Sequence, residues 1–309
     1  MQFLKRFVPT FLKRGLRDRF RPEARAALDP NSILGVLHTP PPHQTRGRWI
    51  TWDEAPIKGR DGQLPLPPPA FRMGHSDDDA GYLQAGRNSS QFIRVVLARQ
   101  GVQLTPGNSI LEWGCAGGRV LRHFASEAAH SEVWGIDQHG PSISWCKRNL
   151  SPPFKFMTCT AFPHLPFADD TFTLVYAGSV FTHILHLMDM WVMEFRRILR
   201  PGGLALFTVH DEHTWERLAK QRDQQRFVDP AGLEDFSGTL SNEVCFLQAG
   251  GDWSEVVSFL RSDWIRRDWG QYLDVVSVEP LSESYQTTVV LRKPPAPAHR
   301  VAEGQSDRR

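Results

Sequence analysis

Residues 109–119 read Ser-Ile-Leu-Glu-Trp-Gly-Cys-Ala-Gly-Gly-Arg, an apolar run that ends at Glu112 and then passes Gly114, Gly117 and Gly118 within five positions. A strand, a glycine turn and a helix over Val120 to Ala129 follow from this order. Glycine has no Cβ, so the turn lets backbone N–H groups come close to a ligand at the start of the helix. A second strand, Val133 to Ile136, ends at Asp137. Asp137 stands about 20 residues past the turn, where a nucleoside-binding α/β fold places its acceptor for ribose hydroxyls. The pair points to an adenosine-type ligand.

The flanking sequence repeats the alternation. A helix begins at Asp78-Asp79 and carries Tyr82, Leu83, Phe92, Ile93, Val96 and Leu97 on one stripe. Beyond Asp137, helices are expected over 142–150, 188–199 and 215–225, and strands over 154–157, 172–177, 205–210, 274–278 and 287–292. Strands that alternate with helices form a parallel sheet covered on both faces. The expected architecture is a three-layer, Rossmann-like sheet of seven strands with the last antiparallel. The domain spans 76–293, with a substrate-side insertion over about 211–260. Before it lie a basic amphipathic arm (1–28) and an irregular Pro-rich segment (29–75), and after it a disordered tail (294–309).

Charge is uneven. Residues 1–28 hold eight Lys and Arg against two acids, +6 in a chain of net +2, so the remainder carries −4. The fold itself therefore lacks the basic face that nucleic acid requires. The arm can lie on an anionic membrane surface or dock on its own domain. The four cysteines, Cys115, Cys146, Cys159 and Cys245, form no C-x-x-C pair and have no histidines at zinc spacing, so a reduced, cytoplasmic chain without metal is expected. No apolar run reaches the 18 residues of a membrane span, and the N-terminus has no h-region of a signal peptide.

Four segments in order resemble the class I S-adenosylmethionine-dependent methyltransferases. They are Glu112-Trp113-Gly114-Cys115-Ala116-Gly117-Gly118, Asp137, the run Leu165-Pro166-Phe167-Ala168-Asp169-Asp170-Thr171-Phe172-Thr173-Leu174-Val175, and Leu199-Arg200-Pro201-Gly202-Gly203. The sequence departs from the family pattern at Glu112, where Asp is commoner, at Thr173, and at Ala116, where glycine is usual. An alanine there is unstrained only if its φ is negative.

The resemblance implies S-adenosylmethionine as cofactor. It implies that Glu112, Gly114, Cys115, Ala116 and Gly118 surround the methionine portion, with Glu112 near the ammonium group. Asp137 and Gln138 would meet ribose and adenine, Thr160 and Ala161 the adenine, and Ala177 and Ser179 the methyl-donor end. His210 and His183 are the candidate bases, with Asp211 beside His210 and His75 a third position. The expected acceptor is an oxygen or nitrogen of a small molecule or a glycan-like molecule. No Asn/Asp-Pro-Pro-aromatic run follows the fourth strand, which argues against nucleic-acid amino groups. A nicotinamide-dependent oxidoreductase is the alternative, disfavoured because Gly114, Gly117 and Gly118 do not match G-x-G-x-x-G. A non-catalytic, membrane-peripheral protein of the same fold is the other.

Overall fold

The computed structural model describes residues 64–73, 76, 78–184, 187–221, 239–248, 256–283 and 285–295. The basic arm, most of the Pro-rich segment, His75, residues 222–238 and 249–255 of the insertion and the tail beyond 295 lie outside them.

The first helix, α1 (Asp79–Arg99), starts where Asp78 accepts the Gly81 N–H at 2.7 Å, and it buries Tyr82, Ile93, Val96 and Leu97. There follow β1 (Ser109–Trp113), a 3-10 turn (Leu121–Phe124) leading into the single turn α2 (Ala125–Ala128), β2 (Glu132–Asp137), α3 (Gly140–Leu150), β3 (Lys155–Thr158) and β4 (Phe172–Ala177). Next come α4 (Met188–Ile198), β5 (Leu199–Val209), α5 (Glu212–Gln221), β6 (Val244–Gln248), β7 (Val256–Leu260), α6 (Ser262–Asp268), β8 (Asp274–Glu283) and β9 (Gln286–Arg292).

Seven strands form one sheet in the order β3-β2-β1-β4-β5-β9-β8. The first five are parallel, and β9 runs antiparallel to both neighbours. This is the expected Rossmann-like architecture. Strand order reverses between β1 and β4, the place where open α/β sheets bind ligands.

Side chains alternate between two cores because successive strand residues face opposite ways. Ile110, Leu174, Tyr176, Leu204, Leu206 and Val290 pack under α1 and α3. Leu111, Val175, Ala177, Ala205, Phe207 and Leu291 pack under α4 and α6. Phe181, Phe207 and Trp269 are fully buried on that second face, with Phe181 4.9 Å from Phe207 and 4.8 Å from Trp269 between ring centroids. Each such side chain contributes about 1.5–3 kcal/mol of burial. The aromatic and cationic residues 262–270 thus serve packing: α6 buries Ile265, Trp269 follows it, and Arg267 pairs with Glu243 at 2.7 Å.

Two differences from the sequence reading concern boundaries. The Leu-Arg-Pro-Gly-Gly run is the opening of β5 and not a turn before it. Its Gly202 has φ +78° and donates its N–H to the Lys293 carbonyl at 2.9 Å. Within the insertion, β6 and β7 form a separate antiparallel hairpin, joined to the tip of β5 by a bridge between His210 and Phe259. Thr173, wholly buried in β4, donates to Asn108 Oδ1 at 2.7 Å and ties β4 to the start of β1. Asp169 and Asp170 are not a catalytic pair, for they bind Arg197 and Lys293 in separate ion pairs.

Candidate functional site

The tips of β1, β2, β3 and β4 open into a cavity of about 770 Å³. That lies in the range of ligand sites, about 300–1,000 Å³. Its first wall is the glycine loop. Gly114 has φ +77°, and a Cβ there would stand 2.3 Å from Val180 Cγ2. The loop is pinned from below, since the Gly114 and Cys115 N–H groups donate to the Ile136 carbonyl at 2.8 and 3.1 Å. Outside it, residues 64–72 run across Gly117, whose Cβ would meet the Phe71 carbonyl at 2.8 Å. Arg122 holds that segment through the Pro65 carbonyl.

Ala116 has φ +45°, so this alanine occupies the left-handed region its family position reserves for glycine. The strain is about 1–2 kcal/mol. It is offset where the loop is tied down, since the Ala116 N–H donates to Asp137 Oδ2 at 2.8 Å and its carbonyl accepts the Cys146 thiol at 3.3 Å. Asp137 Oδ1 accepts the His139 N–H at 2.7 Å. A carboxylate has about four lone-pair positions, so Asp137 keeps capacity for two ligand hydroxyls. Burial raises its pKa, opposed by these N–H donors.

At the other end Glu112 is buried, and its Oε2 has no hydrogen-bond partner. Burial pushes its pKa up to about 8, against the pull of the Arg119 charge. An unpartnered buried carboxyl oxygen facing a cavity is suited to a cation such as an ammonium group. Arg72, Arg119 and Tyr82 line the same end, with the Arg72 guanidinium 5.2 Å above the Tyr82 ring and the Tyr82 hydroxyl unpartnered. Two guanidinium groups near the Glu112 carboxyl, that of Arg72 also held by Asp79 and by the Pro67 carbonyl at 3.1 Å, match an amino acid's carboxylate and ammonium together. The residues therefore fit a nucleoside at Asp137 and an amino-acid tail at Glu112.

The cavity brings together Glu112, Gly114, Cys115, Ala116, Asp137, Gln138, Thr160, Ala161, Ser179 and His183. Three expected residues are absent from its lining. Gly118 turns its Cβ position toward Leu150, Ala177 is fully buried in β4, and His210 is buried behind the cavity. The His210 ring lies 5.5 Å from Tyr285 and 5.2 Å from Phe259, with its pKa lowered to about 4 by burial and by the His183 charge. Ser179 reaches toward it, donating to Gln286 Oε1 at 3.0 Å. Asp211 is committed to the start of α5, where it accepts the His213 and Thr214 N–H groups at 3.1 Å each. Arg72, Tyr82, His139, Tyr176 and Trp191 line the cavity without a motif to announce them, whereas Arg119 directly follows the glycines. The wall beyond β4 is apolar, formed by Val180, Ile184, Leu187 and Trp191.

Residues 111–207 match the model of a methyltransferase domain. A fatty-acid O-methyltransferase of Mycolicibacterium smegmatis is 28% identical over 206 residues, 65% of this chain and 70% of that one. A sterol 24-C-methyltransferase of Schizosaccharomyces pombe is 33% identical over 111 residues, 34% of this chain and 28% of its own length. A solved structure of a Pyrococcus horikoshii protein aligns at a TM-score of 0.49 and 18% identity, covering 71% of this chain and 94% of that one.

Proposed function

The chain belongs to the class I S-adenosylmethionine-dependent methyltransferases, and from that premise we propose that it methylates an oxygen of a small acceptor with an apolar body, a carboxylic acid foremost. The observation that carries this reading is the division of the cavity. Its ionic and polar groups gather at Glu112, Arg72, Arg119 and Asp137, while the wall past β4 is Val180, Ile184, Leu187 and Trp191. The fatty-acid O-methyltransferase relative supports the same acceptor class.

S-adenosylmethionine supplies a methyl group already activated on a sulfonium, so the protein's task is alignment and exclusion of water. Asp137 holds ribose hydroxyls and Glu112 the ammonium, with Arg72 and Arg119 on the carboxylate. The apolar wall keeps water from the acceptor oxygen. A carboxylate acceptor is ionised at neutral pH and needs no base. A hydroxyl would need its proton removed, and His183 is the ring on the acceptor wall for that task. His210 is buried behind Gln286, which links it to Ser179 in the cavity wall.

The test is transfer of a labelled methyl group to matched carboxylates, alcohols and amines. The expected product is a methyl ester, whose label is released by mild alkali. Label that survives alkali in an ether or an amine would refute the carboxylate reading.

The raised pKa of Glu112 gives a second expected result. Its proton is held in the folded, cofactor-free protein up to about pH 8, against 4.5 in the unfolded chain. The neutral form's contribution to stability is full below pH 4.5 and lost as pH rises through 8. Binding an ammonium favours the ionised form, so cofactor affinity should rise between pH 6 and 8, at most about tenfold per unit. Calorimetry in buffers of different ionisation enthalpy should record proton release on binding. Glu112→Gln should flatten the pH dependence, and a slope unchanged in this variant would remove Glu112 from the ammonium site.

A further inference from the structure

Beside the main cavity lies a second one of about 310 Å³, lined by Leu187, Met188, Asp189, Met190, Val244, Phe246 and Trp264. Leu187 is a wall of both. It joins the β4 loop to α4 in the left-handed region, φ +65°, which a branched side chain rarely adopts. The surrounding structure must impose that conformation, and strained backbone of this kind concentrates at ligand sites. The far wall is the β6–β7 hairpin, which leaves Phe246 40% exposed opposite Met190 at 52%. Unbranched methionines adapt to a flexible apolar ligand.

We propose that this groove takes the unbranched hydrocarbon tail of the acceptor, which runs from the cofactor cavity past Leu187 and lies between α4 and the β6–β7 hairpin. The inference rests on the carboxylic-acid reading above and adds the length of the substrate to it. The shared wall names the occupant, since Leu187 lines both cavities and a ligand filling the groove lies against it beside the acceptor wall of Val180, Ile184 and Trp191. The lining also sets direction. Among the described residues it contains no Lys or Arg, and the one ionisable group among them, Asp189, would repel a carboxylate. The head therefore stays on the cofactor side and the tail enters the groove. An anionic glycan or a phosphate finds no cation among these described residues.

The test is calorimetric titration of butanoate, octanoate and dodecanoate into the protein saturated with S-adenosylhomocysteine, with 1-alkanols of the same lengths as a second series. Affinity should rise with length by up to about fourfold for each methylene that enters the groove. Phe246→Lys and Met190→Lys should weaken dodecanoate about 100-fold, with the loss shrinking toward butanoate. Met193→Lys, exposed on the same helix but outside the groove, should bind dodecanoate as the parent does. Affinity independent of length, or dodecanoate binding unchanged by Phe246→Lys, overturns the groove even where methyl esters form. Length-dependent alkanol binding lost in Phe246→Lys upholds it even where no ester forms, in which case the carboxylic-acid reading fails alone.

Discussion

Asp137→Ala is expected to weaken S-adenosylmethionine binding by about two orders of magnitude, measured calorimetrically at pH 7.5. The carboxylate joins both loops of the donor site, taking the Ala116 N–H at 2.8 Å and the His139 N–H at 2.7 Å. A hydrogen bond to a charged group contributes about 1.5–3 kcal/mol, and 1.4 kcal/mol is tenfold in affinity. The variant loses the proposed ribose acceptor and also frees Ala116, whose left-handed backbone is held in part by that bond. Asp137→Asn should fall between, because its amide keeps one acceptor but presents an NH₂ to a backbone donor. Affinity within threefold of the parent, in a variant with unchanged circular dichroism, would contradict this placement of the ribose.

Arg197→Ala should cost about 3 kcal/mol of stability and lower the urea midpoint by about 1 M or more. The guanidinium binds Glu194 through Nε at 2.9 Å and Nη2 at 2.7 Å, and reaches the Leu165 and Phe167 carbonyls at 2.9 and 2.7 Å and Asp169 at 2.8 Å. Glu194 in turn accepts the Leu165 N–H at 2.6 Å. The pair thus clasps the Leu-Pro-Phe loop to α4 just before β4 begins. Removing the arginine leaves a buried carboxylate and two carbonyls without their partner. Arg197→Lys should recover only part of the loss, because one ammonium cannot fork across five acceptors. A midpoint shift below about 0.3 M, under about 1 kcal/mol at a urea slope of about 1–3 kcal/mol/M, would show the clasp to be dispensable.

These two sites mark what was legible in the sequence and what was not. The strands of the main sheet announced themselves because Ile110, Leu111, Leu174, Val175, Leu204 and Ala205 form apolar runs buried on both faces. The donor loops were legible for a related reason, since a glycine turn and an acid after the next strand leave a local pattern. The β6–β7 hairpin was not. Its strands have five residues each and form a sheet of their own, so their short apolar runs blend into the surrounding polar stretch. Missing the hairpin also hid the burial of His210, which is covered by Phe259 from β7. Arg72 and Tyr82 reach the cavity from a Pro-rich segment and from the interior of α1, and only tertiary packing brings them to Glu112. The effect of alanine at position 116 depended on one dihedral angle, which residue identity does not reveal.

The layout of the cavity has a consequence for descent. Apart from Arg72, Met73 and Tyr82, its donor half comes from one unbroken stretch of chain, Glu112 to Ala161, whereas Leu187, Phe246 and Trp264 around the second cavity come from the start of α4, from β6 and from α6. Insertions or exchanges after β5 can therefore remodel the far wall of the second cavity, Val244, Phe246 and Trp264, without touching the stretch from Glu112 to Ala161. Lineages that share the early half can diverge in diet while keeping one currency of carbon.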